Sequence, residues 1–298
     1  MKKIVKLAAY LTILLFSYPL YAEEWQSALG VELFSWHEYD LSGREMVYEM
    51  GPRLFVEFES AADRSKRFNH SFRGRLYSGF VKYDGETQGG VPLTSHSIYA
   101  GFAVESMLNY RLSTVIKEGT SEGQAWYLSA GLGYEGWLRG IQDTASASGY
   151  SEIYQVPYSK LGILYEANHR TQLQFGAKLP LMVSERVLFS RFVTDDTGEH
   201  FSDFNLEPQA NLTLYASLDY QLANRMDISL YYDRYLFGAS PNVSLLMASG
   251  NPVYCLDVDS NGICEAHNAI NSGTDSVVVA HQPKSHLQTI GVRFNFSY

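Results

Sequence analysis

Alternation of apolar and polar side chains, repeated in ten separate stretches, constrains this chain more than any other feature, because a period of two belongs to strands whose faces meet different media. Leu29, Val31 and Leu33 alternate with Gly30 and Glu32, and Leu54, Val56 and Phe58 with Arg53, Phe55 and Glu57. The same pattern runs through Phe72 to Phe80, Ile98 to Glu105, Trp126 to Glu135, Thr171 to Leu179, Leu212 to Asp219, Met226 to Tyr231 and Ile290 to Tyr298, and more weakly from Tyr150 to Glu166. An all-β fold of about ten antiparallel strands, within roughly eight to twelve, follows. Composition agrees: aromatics make up 14% of the chain and charged residues only 18%, a mixture that suits strands and turns better than helical bundles.

A soluble sandwich would alternate too, so the connections decide. Those after odd-numbered strands are 40–46, 84–95, 140–149, a region around 194–203, and the long 238–285. Most of the others are tight, such as Ala167 to His169 and Leu222 to Arg225, although 112–123 is longer. Long loops on one rim and short turns on the other predict a closed antiparallel transmembrane β-barrel with its long loops outside the cell. Residues 1–22 open with Met1-Lys2-Lys3, continue through an apolar stretch and end Leu20-Tyr21-Ala22, the form of a secretory signal peptide cleaved after Ala22. The expected organisation is therefore a leader over 1–22 and a barrel over 23–298. No other apolar run approaches the ~18 residues that a spanning helix needs, and without one only a closed barrel crosses a bilayer. The net charge is −9, and once Lys2, Lys3 and Lys6 leave with the leader, 20 basic against 32 acidic side chains leave −12. A nucleic-acid partner, which calls for a basic footprint, is not expected.

If the apolar set faces lipid, the other set points inward, and it carries both signs: Glu32, Arg53, Glu57, Arg73, Arg75, Glu105, Glu135, Lys178, Asp219, Asp227, Asp233 and Arg293. A barrel of eight to ten strands has little more interior than its side chains occupy. The expectation is a lumen plugged by ion pairs and Tyr hydroxyls, with a selective conduit for a small solute as the other possibility.

The final stretch, Thr289 to Tyr298, with Phe294, Phe296 and Tyr298 in alternation, resembles the terminal strand of bacterial outer-membrane β-barrel proteins, the class that includes small porin-like barrels. The resemblance implies a Gram-negative outer-membrane location, outer-membrane lipid and lipopolysaccharide as surroundings, and a terminal aromatic signal read by the barrel-assembly machinery.

Three further constellations bear on chemistry. Cys255 and Cys264 have eight residues between them and can pair in an oxidising compartment. Between them Asp257, Asp259 and Asn261 stand at the first, third and fifth places of an EF-hand-like loop, with Gly262 at the sixth but Asn268 at the twelfth; weak Ca²⁺ binding and a plain acidic turn are both open. Asp84 and Glu86 in the second long connection, and His200 with Asp196 or Glu199 in the fourth, resemble the acidic pair and the Asp/His pair of the ten-stranded omptin proteases. Omptins separate their Asp and His by one residue, whereas here Glu199 adjoins His200 and Asp196 is four away. Trp36 to Asp40, near a strand end, reads as part of an interfacial aromatic girdle. No Gly-x-Ser-x-Gly, P-loop or zinc spacing points to another enzyme class. The function expected is a non-enzymatic surface protein, structural or ligand-binding through its outer loops; a narrow solute channel and an omptin-like protease are the alternatives.

Overall fold

The computed structural model describes residues 25–40, 42–60, 66–86, 92–116, 123–145, 147–168, 170–189, 200–251, 253–256, 265–267, 276–277 and 279–297; the expected leader lies outside them. The alternating stretches become ten long strands: β1 Trp25–Tyr39, β2 Glu45–Ser60, β3 Phe68–Glu86, β4 Pro92–Ile116, β5 Gly123–Ile141, β6 Tyr150–Asn168, β7 Thr171–Pro180, β8 Thr213–Ala223, β9 Met226–Gly238 and β10 Lys284–Ser297. Each pairs antiparallel with its sequence neighbours, and β10 returns to pair with β1, Phe294 opposite Leu29 and Ile290 opposite Leu33. The ring of the ten described strands is closed, which hides the edges of its first and last strands.

Side-chain facing follows the period of two. Leu29, Leu54, Leu76 and Leu214 point out of the barrel and are 58–68% exposed, while Glu32, Glu57 and Lys178 point in and are at most 1% exposed. That is the reverse of a water-soluble barrel, and so continuous an apolar exterior is stable only against hydrocarbon. Near the rim of short turns the exterior turns aromatic: Trp25 is outward, Phe68 packs on Tyr110 at 4.6 Å and Trp126 stacks on Tyr165 at 4.3 Å. Such rings suit the boundary between hydrocarbon and water. On the inner face small residues make room for rings. A Cβ on Gly30 would lie 2.2 Å from the Phe55 ring, and one on Gly133 2.3 Å from the Tyr158 ring, so an aromatic of the next strand lies flat across each glycine.

At the rim of long loops the wall is built differently. β7 and β8 pair only as far as Lys178 opposite Thr213. Beyond that point Ser184–Leu188 continues along β6, Phe204–Leu206 pairs with Ser184–Leu188, and Gln209–Ala210 pairs with β9. The fourth and fifth connections then fold onto each other. Val243–Ser244 pairs with Val279–Ala280, Phe201 bridges to Met247, and Phe201, Leu245, Met247 and Val253 bury one another beside Phe189 and Phe204.

Candidate functional site

The lumen is where the chemistry-bearing residues collect, and it has three tiers. Near the short-turn rim lies an open polar vestibule of about 480 Å³, lined among others by Asn69, Asn109, Gln174, Asp219 and Asn295. Arg73 and Glu105 form its inner end and also line a second cavity, of about 70 Å³, beyond it.

The middle tier is an ion-pair lattice. Glu32 accepts from Arg53 Nε at 2.7 Å and from Arg75 at 3.2 Å. Glu57 accepts from Arg75 at 2.9 Å, from Arg73 at 3.3 Å and from Arg293, which also reaches Asp219 at 3.2 Å. Glu105 meets Lys160 at 2.5 Å and the Tyr158 hydroxyl at 3.1 Å, and Lys178 pairs with Asp233. The cations are also held by rings: Arg53 lies between Phe34 at 4.0 Å and Tyr77 at 4.5 Å, and Lys178 sits 3.5 Å from the centre of Tyr235. Buried charge is tolerable here because partners of opposite sign, hydroxyl donors and ring faces together replace water.

The outer tier is apolar. Phe34, Trp36, Tyr99, Trp137, Tyr154, Val183 and Phe237 form one buried cluster, with Trp137 stacked on Tyr154 at 4.8 Å and Trp36 and Phe237 both within 6.4 Å of Trp137 or of each other. Above it Arg139, 1% exposed, binds three carboxylates at once: Glu38 at 2.8 Å, Glu49 at 2.8 Å and Glu152 at 2.9 Å. Trp36 Nε1 donates to Glu38 at 2.7 Å, Ser97 donates to Glu49 at 2.8 Å and so does Tyr99, and Tyr154 donates to Glu152 at 3.1 Å. Trp36 is thus an inward core residue and not part of a girdle, because the inward register that starts at Glu32 continues through Phe34 and Trp36. A fourth carboxylate, Glu185, is buried among them. Its neighbour Arg186 points out to an exposed pair with Asp203 at 3.0 Å, so this segment stands clear of the hydrocarbon layer. Burial first, then the charges of Glu152 and Glu38, push the Glu185 carboxyl well above its ordinary range.

The other residues marked in the sequence take varied places. The charged residues Glu32, Arg53, Glu57, Arg73, Arg75, Glu105 and Arg293 meet in the lattice just described. Asp84 and Glu86 lie on β3's outward face: Asp84 is 3.5 Å from Lys82, and Glu86 takes both Arg44 amino groups, at 2.6 and 2.8 Å, across the first loop. His200 sits in the fourth connection, its carbonyl accepting from Ala248 N at 2.8 Å, and Asp196 lies outside the described residues. The first loop is tied by Asp40, whose carboxylate accepts from Ser42 N and Oγ at 2.8 and 2.6 Å and from Arg44 N at 2.9 Å. Those donors, the Ser42 hydroxyl foremost and then the Arg44 amide, hold the Asp40 carboxyl down at about 2. Cys255 lies in the short strand Tyr254–Leu256, paired with Glu265–His267 and Ser276–Val277; Cys264, Asp257, Asp259 and Asn261 lie outside the described residues. Phe294 and Phe296 face outward on β10, and Tyr298 lies outside the described residues.

Sequence reasoning found the ionic tier but missed Arg139 with its three glutamates and the aromatic tier. Glu38 and Glu49 were within reach, since each continues the inward register of a strand already assigned, from Glu32 and Arg53.

A closed antiparallel barrel with an apolar exterior and a charged, ring-packed interior defines the class: a β-barrel of the outer-membrane kind. No protein-family model matches the sequence, and a search of curated proteins finds no relative. Among solved structures the chain is similar to the translocator domain of the autotransporter NalP from Neisseria meningitidis, at 8% identity over 100% of this chain and 98% of that one with a TM-score of 0.41. It is also similar to the transport unit of the autotransporter AIDA-I from Escherichia coli, at 8% identity over 93% and 91% with a TM-score of 0.39. The Pseudomonas putida toluene transporter TodX matches at 11% identity over 95% and 92% with a TM-score of 0.34.

Proposed function

We propose that this chain is an integral protein of the bacterial outer membrane, non-enzymatic, whose lumen is shut by its own core and whose work is done by the outer loops as a structural or ligand-binding surface. The observation that carries this reading is the outer tier of the lumen. A buried cluster that includes Phe34, Trp36, Tyr99, Trp137, Tyr154 and Phe237, together with the Arg139 group, lies between the inner cavities and the outside, an arrangement that favours a blind vestibule. The folded contact between the fourth and fifth connections supplies a shaped outer surface, as a binding protein requires. The lipid-facing belt fits outer-membrane lipid and lipopolysaccharide, and Phe294, Phe296 and Tyr298 fit the barrel-assembly machinery. Ca²⁺ on Asp257, Asp259 and Asn261, braced by Cys255–Cys264, remains part of the proposal for the fifth loop. An omptin-like protease draws less support, since Glu86 is engaged by Arg44.

The test is reconstitution in planar bilayers. The expected record is quiet, with no stable open-channel steps; large, steady steps would overturn the closed-lumen reading in favour of a narrow channel. Cleavage of a peptide library by the purified protein, lost on Asp84→Ala and on His200→Ala, would favour the protease instead.

A further inference from the structure

The base of the fifth loop is clamped at two points. Ser240 N donates to the Gln282 carbonyl at 3.0 Å, and Gln282 N donates to Ser240 Oγ at 2.8 Å. Gln282 is 3% exposed, and its side chain reaches down among the carboxylates of the mouth. One end of its amide lies 2.8 Å from Ser285 Oγ and 3.4 Å from Glu38; the other lies 3.2 Å from Glu185.

The two ends are not equivalent, and a proton on Glu185 decides which goes where. An ionised carboxylate only accepts, so beside ionised Glu185 the amide must present its NH₂ group there and withdraw it from Glu38. A protonated Glu185 donates to the amide oxygen, and the NH₂ group then serves Glu38 and Ser285. In the second arrangement the amide oxygen meets the Glu185 proton, the NH₂ group meets Ser285 and Glu38, and Arg139 keeps its bonds to Glu38, Glu49 and Glu152. Titratable groups around Glu185 add to the imbalance. Glu38 of β1, Glu152 of β6 and the Arg139 guanidinium of β5 act on it directly, and Glu49 of β2 joins them through Arg139. Tyr83 of β3, Tyr99 of β4 and Tyr150 of β6 lie around the same carboxylates, and the Tyr154 hydroxyl of β6 reaches both Glu152 and Glu185, leaving four carboxylates around one guanidinium.

We propose that the Glu152–Glu185 pair keeps one proton at neutral pH, and that this proton latches the base of the fifth loop, through Gln282, onto the barrel mouth. Protonation of the pair belongs to both carboxyls together, with Glu185 the member that meets the loop. Opening the latch brings Glu185 into water, where it gives up its proton near pH ~4. Between that value and the higher one of the closed state, opening sheds a proton, so the opening equilibrium rises about tenfold per pH unit. Below the window both states hold the proton and above it neither does, and the latch is indifferent to pH in both regimes.

Hydrogen exchange read by mass spectrometry on the detergent-solubilised full chain tests this, on peptides carrying the Ser240 and Gln282 amides. After correction for the intrinsic rate, protection should fall about tenfold per unit from pH 5 to 7. Glu185→Gln should abolish that slope, and Gln282→Met should lower protection at every pH and flatten the profile. Should Glu185→Gln fail to form the barrel, the wild-type and Gln282→Met profiles decide. Wild-type protection that does not change with pH, or a slope that survives Glu185→Gln or Gln282→Met, overturns the latch.

Discussion

Arg139 shows at the scale of one residue how this interior is stabilised. Its guanidinium is fully buried and its donors are divided among three glutamates, so removing it strands carboxylates that water cannot reach. Arg139→Gln should therefore cost about 3–5 kcal/mol, as breaking one side of a buried ionic cluster does. Arg186 pairs with Asp203 at a similar distance, 3.0 Å, but is 58% exposed, and Arg186→Gln should cost no more than about 1 kcal/mol. Urea midpoints of heat-modifiable gel migration measure both; equal losses would show that the burial of the Arg139 cluster does not set its strength. A pH effect belongs at this scale too. The Asp40 carboxyl sits at about 2 in the folded first loop against ~3.9 in an unfolded chain. Its contribution is complete above pH ~4 and fades as pH falls through about 2, because the unfolded form then takes up protons the folded form refuses. Exchange of the Ser42 and Arg44 amides should quicken across that interval beyond the intrinsic rate, and Asp40→Asn should remove the added change.

At the scale of a strand, facing is the property that sequence displays best. Leu214 and its outward companions could be assigned from alternation alone, because one residue of slip would bury every Leu and expose every charge. Leu214→Arg should therefore cost about 2–4 kcal/mol at mid-bilayer depth. Depth inside the lumen is a different matter. Thr213 was legible as inward, yet its surroundings were not: it is 3% exposed and its hydroxyl donates to the Lys178 carbonyl at 3.2 Å. Gln174, on the wall of the vestibule, is the inward position with room, and Gln174→Arg should leave the urea midpoint nearly unchanged where Leu214→Arg lowers it. Similar losses from the two would mean that the vestibule is packed. The aromatic tier was hidden for a related reason. Around Phe34-Ser35-Trp36-His37 the outward partners are Ser35 and His37, so polar and apolar exchange sides above the hydrocarbon layer and the rings look like a girdle. Only the ring closure that brings Trp36, Trp137 and Phe237 from β1, β5 and β9 to one level reveals a core. At the closing strand, Phe296 lies between Ser27 of β1 and Met226 of β9. Deleting residues 296–298 should leave the chain in the periplasm or degraded, as fractionation would show; normal outer-membrane amounts would detach this strand from assembly.

The whole molecule sets a gradient along the barrel axis, from open and polar at the short-turn rim to packed and apolar below the long loops. The cavity shrinks from about 480 Å³ to about 70 Å³ in passing Arg73 and Glu105, and beyond it Trp36, Trp137 and Phe237 meet across the bore within 6.4 Å. Ion pairs alone could part to admit water and small ions, since each charge exchanges one polar partner for another at modest cost. Rings cannot, because water threading between them gains no hydrogen bonds. On the closed-lumen proposal the aromatic tier is therefore the seal, and the lattice beneath it ties the strands together. Trp36→Ala, Trp137→Ala and Phe237→Ala combined should open a continuous polar path from the vestibule to the outer mouth, because Glu38, Glu49 and Arg139 stand just above the space vacated. The wall itself is held by the ten-strand ring of backbone bonds and by the lipid-facing belt, which these changes do not touch, so the variant should still shift on heat-modifiable gels. In planar bilayers the wild type should be silent and the triple variant should give discrete steps. Removing the charges instead, with Glu105→Gln and Lys160→Met together, should give none. Conduction from the charge variant with silence from the ring variant would move the seal to the ionic tier.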